Sequence, residues 1–449
     1  MFIYIFLLFF SDKPSLSDQI NAYGNWKDVK SVEFIVNWHI YTKSQGYRYS
    51  ENAPIKRELY YHYNVADSIM FHQSDTHFPG GYVFDFAFIV KDTSVVSYNI
   101  SGSRTGEIYR KRGKPTYHSL LNDIPYFLPN MLLQTLKESD LQYTGNARFL
   151  HNTETDSTVY IHNNQGRLQH IHQISKKNGT KTKTEFREYK QIDKKWIPTK
   201  MLIYAGDQLT NIWAIESLKF NTILPETKLK QPEHYIKESD IKKPLTLTKL
   251  HPKTYMLSSI NGNRNSLIYF SGNRVVLGGA PLNNVTSKKT IQFIKKELDV
   301  AVTDVFISHH HSDHIGGIAE FYKQRATLIF HAHLYHAIAD ILKLNGLAIR
   351  PNQLRIFSSP LTFLDIQFHP VKNSHAEGLS FMYLPKQKLI YQGDFFALPE
   401  DGFMTPPIKV MKEFNAYITS EKINFNSIIT HHATPLITKD TYLKMITYK

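Results

Sequence analysis

The sequence predicts a two-domain α+β chain, an antiparallel β-domain followed by a layered α/β domain. Three observations carry this. Segments rich in β-branched and aromatic residues follow one another from Ser31 to Asn221, a Pro- and Lys-rich stretch runs from Thr222 to Pro252, and beyond it strand-like and helix-like segments alternate around a histidine-rich loop. A chain of 449 residues, 42% of them hydrophobic, is long enough to fill two cores. The expected divisions are an N-terminal apolar segment over 1–20, the β-domain over 21–221, a linker over 222–252 and the second domain over 253–449.

The opening run MFIYIFLLFF gives way at once to the polar SDKPSLSD and is too short to span a bilayer as a helix. It reads as a secretory signal, or as an uncleaved N-terminal anchor, because a basic start and a small-x-small cleavage site are both lacking. Either way it predicts an exported protein of the periplasm or cell envelope, and no other transmembrane span is expected. The absence of cysteine excludes disulfides, thiolate catalysis and any cysteine-containing zinc site, so a metal has to be held by nitrogen and oxygen. The net charge of +14 is spread along the chain rather than gathered on one arm, which reads as solvated surface and disfavours nucleic acid as a partner.

In the first domain the segments SVEFIVNWHIY, YVFDFAFIV, TSVVSYNI, STVYIHN, RLQHIHQIS, TKTEFREYK, WIPTKMLIY and NIWAIESLKF are bounded by turn signals such as Pro79-Gly80-Gly81, Asn164-Gln165-Gly166 and Asn178-Gly179. This is the grammar of an antiparallel meander. Between Tyr117 and Ser139 the spacing of Leu120, Leu121, Ile124, Phe127, Leu128, Met131, Leu132 and Leu136 predicts a helix, bent at Pro125 and Pro129. The order of helix, long strands, helical insertion and returning strands resembles the open β-barrel domains of the lipoprotein-carrier superfamily. Those domains wrap a sheet around a helix, and the resemblance implies a site for an apolar ligand. A plain antiparallel β-domain that only packs on its neighbour fits the pattern equally.

In the second domain LIYF and VVLGG form a hairpin, Ser287 to Leu298 is amphipathic, and AVTDVFISHHHSDHIGG is a strand running into a loop. Alternating strands and helices indicate layered packing with sites on the loops at strand ends. The i, i+2 spacing of His309 and His311 sends two imidazoles to one side, and the same loop delivers Asp313 and His314 close by. Gly316 and Gly317 allow a tight turn into the next helix.

This HxHxDH segment is similar to the defining motif of the metallo-β-lactamase superfamily, which implies an αββα fold. The resemblance extends, in the family's order, to His375 in KNSHAEG, Asp394 in LIYQGDFF and His432 in IITHHATP. It implies one metal on His309, His311 and His375, and a second on Asp313, His314 and His432, with Asp394 and a hydroxide between them. His432 is favoured over His431 by register. The implied cofactors are two Zn²⁺ ions, although iron or manganese also suits this nitrogen and oxygen set. Zinc lowers the pKa of bound water far below that of bulk water, to about 7, and Asp313 is the implied catalytic residue, orienting the hydroxide and passing a proton toward the leaving group.

The chain departs from the family at Gly278, which stands in VVLGGAP where a supporting aspartate is usual, and at Ala433, where glycine is usual. Loss of such support typically weakens metal affinity or activity by about 10- to 100-fold. His331, His333 and His336 are read as surface or supporting residues with no carboxylate nearby, His369 as structural, and His310 as core-facing or exposed.

The stretch between Asp394 and His432 is too short for the inserted domain of the nucleic-acid-cleaving branch. The residues after His432 are too few for the helical domain of the glyoxalase II type, and flavodiiron relatives need a glutamate at His311. The expected function is therefore a zinc-dependent hydrolase that cleaves an ester, lactone, lactam or phosphoester of a small-molecule substrate. The alternative is a cell-envelope binding or carrier protein for an apolar ligand, with a secondary or weakened metal domain.

Overall fold

The structure, a computed structural model, describes residues 14–91, 94–102, 106–113, 116, 120, 124–241 and 243–449. The apolar run Met1–Phe10 lies outside the described residues, as does most of the stretch 117–123.

Among the described residues the first half of the chain forms one sheet of fourteen strands. It joins two meanders. One runs from Ser31–Tyr41 out to Ile108–Arg112, the other from Gln208–Phe220 back to Leu141–Gly145, and the seam is Ser31–Tyr41 against Gln208–Phe220. The expected turns fall between strands, and two-residue hairpins close at Asn146-Ala147 and Asp193-Lys194 with positive φ at all four residues. Within 222–252, Ile236–Lys237 adds a parallel strand to this sheet, whereas Thr246–His251 pairs with Thr254–Ile260 in the second half of the chain.

One face of the sheet is filled by its own side chains and by helices Leu16–Asn21 and Pro129–Gln134. Phe34 stacks on Tyr61 with ring centroids 4.8 Å apart, and Phe127 lies 4.7 Å from Trp213. The crevice between Leu16, Leu133, Phe149 and Tyr160 leaves no room for a water molecule. The helix expected as far as Ser139 is shorter. Leu128 leaves the helical region (φ −125°, ψ 76°), Pro129 starts a new helix, and this ends at Gln134. Proline cannot donate its missing N–H within a helix, so it begins one more readily than it continues one.

Buried in this core, His72 stacks on Tyr61 at 4.2 Å and donates from Nδ1 to the Tyr60 carbonyl at 3.1 Å. Burial pushes its pKa down to about 3. The unfolded chain takes up that proton below pH 6.5 or so. The folded state thus binds fewer protons, and stability is lost progressively as pH falls from about 6.5 toward 3. In urea titrations between pH 7 and pH 4, His72→Phe, which keeps the stack, should show a smaller fall in midpoint than wild type.

The second half of the chain holds two further sheets. One has seven strands, antiparallel from Thr246–His251 to Arg274–Gly278 and parallel through Asp304–Ile307, Thr327–His331 and Leu354–Phe357. The other has six strands, from Leu361–Phe363 to Leu436–Thr438. Phe306, Ile329, Phe368, Met382, Tyr391 and Ile429, drawn from both sheets, form one apolar cluster. Helices Asn284–Leu298 and Tyr335–Leu344 pack on the first sheet through Ile294, Ile338 and Leu342. Helices Lys409–Ser420 and Lys439–Thr447 pack on the second through Phe414, Ile418, Tyr442 and Met445. Tyr82 of the first half belongs to that last cluster, so the two halves share a core. No helix among the described residues is long and apolar enough to cross a membrane.

Candidate metal centre

Strand Asp304–Ile307 is short and wholly buried, and the chain leaves its end as an extended loop before helix Ser312–Ile315. The neighbouring loop pins this turn in place. Gly279, Ala280 and Leu282 donate their N–H groups to the carbonyls of Phe306, His314 and Asp313 at 2.7, 3.1 and 3.1 Å. A Cβ on Gly316 would stand 2.0 Å from the Leu282 carbonyl oxygen, which is why that turn takes glycine.

His309, His311, His375 and Asp394 are all buried, and each offers a ligating atom within 4.8 Å of the others. Asp394 is central. Its Oδ2 lies 3.8 Å from His309 Nε2 and 3.3 Å from His375 Nε2, while its Oδ1 lies 3.2 Å from His314 Nε2 and 3.1 Å from His432 Nε2. Asp313 closes the second group, its Oδ2 3.3 Å from His432 Nε2 and 3.6 Å from His314 Nε2. One carboxylate thus faces two sets of imidazoles, one with each oxygen.

The tautomers fit metal ligation. A carbonyl can only accept, so His375 carries its proton on Nδ1, which donates to Pro79 O at 2.9 Å, and His311 on Nε2, which donates to Gly46 O at 3.0 Å. The lone-pair nitrogen Nε2 of His375 is buried without a hydrogen-bond partner, as is His309 Nε2. Two buried, orphaned nitrogens converging on one carboxylate are costly unless something electropositive sits between them, and a metal ion meets that need. Burial, then the neighbouring imidazoles, hold His309 and His311 well below the usual histidine pKa, in the neutral form a metal requires. Burial works against ionisation of Asp313, yet the flanking imidazoles of His314 and His432 keep its carboxyl well below the ordinary range.

The remaining histidines sort out differently. His431 is also near the second group, with its Nδ1 3.0 Å from the Tyr391 hydroxyl and 3.0 Å from the Asn265 carbonyl. His310 is buried and donates from Nε2 to Gly46 O at 3.1 Å. His369 stacks on Phe381 at 5.0 Å and serves the core. The expectation that no carboxylate lies near the second HxH is corrected: Glu377 Oε1 comes within 3.7 Å of His333 Nδ1, because the turn after His375 folds back beside it.

Sequence reasoning missed the part the first half of the chain plays here. The loop 42–48 and the turn 79–81 reach across to the centre. Besides Gly46 and Pro79, the Ser44 and Tyr47 carbonyls accept from Ser312 and Glu377 N–H at 3.2 and 2.8 Å, and the Tyr82 hydroxyl donates to Asp394 O at 3.0 Å. Gly80, at φ 87°, packs directly on His375, where a Cβ would come within 2.9 Å of that residue's Cβ. Pro79-Gly80-Gly81 was legible as a turn, but nothing local signals a partner 296 residues away.

Gly278 has a steric explanation. A Cβ there would lie 2.6 Å from the buried Tyr391 ring, so a tyrosine fills the room an aspartate would need. Ser266 donates its hydroxyl to the Gly278 carbonyl, and Tyr391 reaches His431 at 3.0 Å.

A family model described as the metallo-beta-lactamase superfamily matches residues 286–424, a span that includes six of the seven converging residues, His432 lying just beyond it. The C-terminal region belongs to the metallo-β-lactamase superfamily. Two curated relatives, the type 2 metallo-beta-lactamases of Bacillus sp. (strain 170) and Bacillus cereus, are each 29% identical to this chain over 159 residues. The match takes in 31% of this chain, and the chain spans 60% of the length of these relatives. Among solved structures, the metallo-beta-lactamase FIM-1 from Pseudomonas aeruginosa in its mono-zinc form aligns at 17% identity and TM-score 0.36, over 46% of this chain and 94% of that one. A metallo-beta-lactamase from Hirschia baltica aligns at 14% identity and TM-score 0.35, over 45% and 97%.

The cluster opens into a chamber of about 480 Å³. His311, Asp313, His375 and Asp394 line one side, and the opposite wall is the N-terminal sheet, with Arg57 and Phe84 among its residues.

Proposed function

We propose that this protein is a zinc-dependent hydrolase of a small-molecule ester, lactone, lactam or phosphoester. The observation that carries the reading is Asp394, whose two carboxylate oxygens face two separate sets of imidazoles at 3.1 to 3.8 Å. His309, His311 and His375 are the proposed ligands of one ion, Asp313, His314 and His432 of a second, and Asp394 is shared. Bound zinc supplies a hydroxide nucleophile at neutral pH and polarises the scissile group. Asp313, largely buried but open to the chamber and near Arg264 and Gln45, is placed to orient the attacking water and to take its proton. His311 and His375 keep their protons on the sides facing the Gly46 and Pro79 carbonyls, which leaves Asp313 as the carboxylate placed to carry the proton.

In this reading residues 246–449 form an αββα sandwich, the N-terminal sheet is a second domain that packs on it and walls the chamber, and the apolar run at the start carries the protein to the cell envelope. The test is metal content by plasma mass spectrometry on protein purified without chelator or histidine tag. About two equivalents of zinc are expected in wild type, and a near-complete loss in the His309→Ala, His311→Ala double variant. Wild type that takes up no metal from added zinc would sink the reading.

A further inference from the structure

We propose that the substrate is an anionic amphiphile, an ester or lactone whose apolar arm lies along the N-terminal sheet while its reacting group stands at the metal centre. The inference rests on the hydrolase reading and names the class of molecule the chamber takes.

Strand Tyr82–Lys91 alternates from Phe84 to Ile89, so Phe84, Phe86 and Phe88 project from one face, and all three line the chamber with Phe78. They form a graded row. Phe84 stacks on Phe86 at 6.2 Å, Phe78 meets Phe84 edge-on at 5.7 Å, and Phe88 lies 5.3 Å from His72 at the filled core. At about 3.4 Å per residue, the rings of Phe84 to Phe88 cover roughly 13 Å of strand. Each is half-buried, leaving aromatic surface turned toward an open chamber. A monomeric protein seldom leaves a row of large apolar rings beside water and a charged cluster unless a ligand covers it.

Arg57 and Arg264 line the chamber, and among the described residues the carboxylates in its lining are Asp313 and Asp394 of the metal centre, with Asp313 3.4 Å from Arg264. Arg57 is held in place by donating from Nε to Thr76 Oγ1 at 2.8 Å and by lying over the Trp38 ring at 4.7 Å. Cross-strand pairing sets Arg57 against Thr76 and Thr76 against Phe84, so the guanidinium stands at the metal end of the aromatic row. A head group carrying negative charge suits that end, and an acyl or aryl arm suits the run to Phe88. In the reaction, water forms the new C–O bond, the bond to the leaving oxygen breaks, and the two protons of water divide between the carboxyl and hydroxyl products.

The test compares zinc-loaded wild type with Phe86→Ala/Phe88→Ala and Phe86→Leu on 4-nitrophenyl acetate and 4-nitrophenyl decanoate. Decanoate is then titrated calorimetrically into the full-length His309→Ala/His311→Ala protein, with and without Arg57→Gln. Expected is a kcat/KM at least about tenfold higher for the long ester, a ratio lost in the double alanine variant and kept in Phe86→Leu. Decanoate should bind without metal and weaken about tenfold with Arg57→Gln. Metal-dependent hydrolysis with no chain-length preference, and no decanoate binding, overturns the amphiphile while leaving the hydrolase standing. Decanoate binding without any ester hydrolysis by the zinc-loaded protein overturns the ester assignment, while the hydrolase reading stands or falls on the metal content.

Discussion

Gly80→Val should lower zinc affinity by roughly 10- to 100-fold in a chain that still folds. Two effects act together. The residue sits at φ 87°, where any Cβ costs about 1 to 2 kcal/mol. That Cβ would also stand 2.9 Å from His375 Cβ and 3.1 Å from Nδ1, the atom that donates to the Pro79 carbonyl next door. The backbone has to yield, and the imidazole then loses the acceptor that fixes its proton and its direction. Competition with a zinc-sensitive dye reads the affinity, and circular dichroism reads the fold. Unchanged affinity would mean that the N-terminal turn merely touches the centre. The fourteen-strand sheet should keep its signal in either case, because Gly80 lies in the turn between two strands and not in a strand.

Restoring the family's usual aspartate should do harm. In Gly278→Asp the new side chain meets the Tyr391 ring at 2.6 to 2.9 Å, in a cluster with no slack. Overpacking costs about 1 to 3 kcal/mol and a buried carboxylate adds to it, so melting should fall by on the order of 5 °C or more. Tyr391→Ala creates space, and the Gly278→Asp/Tyr391→Ala pair should be more stable than the sum of the two single losses predicts. Additive losses in calorimetry would show that ring and aspartate do not compete for the same volume. A gain of zinc affinity in the single variant would mean instead that the centre truly lacks a support.

The parts legible in the sequence were those governed by local rules. Period-two segments and turn residues gave the antiparallel meanders, and the six-residue motif around His309 gave the turn, its glycines and the nearness of Asp313 to His314. His375, Asp394 and His432 came from the resemblance to the metallo-β-lactamase motifs, which they match in the family's order. What stayed hidden is long-range. Nothing in the segment around Gly46 or in Pro79-Gly80-Gly81 marks them as acceptors for histidines more than 250 residues downstream. Phe84, Phe86 and Phe88 read as strand residues, and only the sheet's position beside the centre reveals which face they show. The substitution at Gly278 looked like a loss, since the tyrosine that occupies the space lies on a strand far along the chain.

The carbonyls of Gly46 and Pro79 have a consequence for how the protein matures. The first half of the chain leaves the ribosome with acceptors in place but no imidazoles to receive, and the second half acquires imidazoles whose orientation depends on the first. In the proposed reading, metal capture would improve once the two halves have met, because His311 and His375 take their proton placement from carbonyls of the first half.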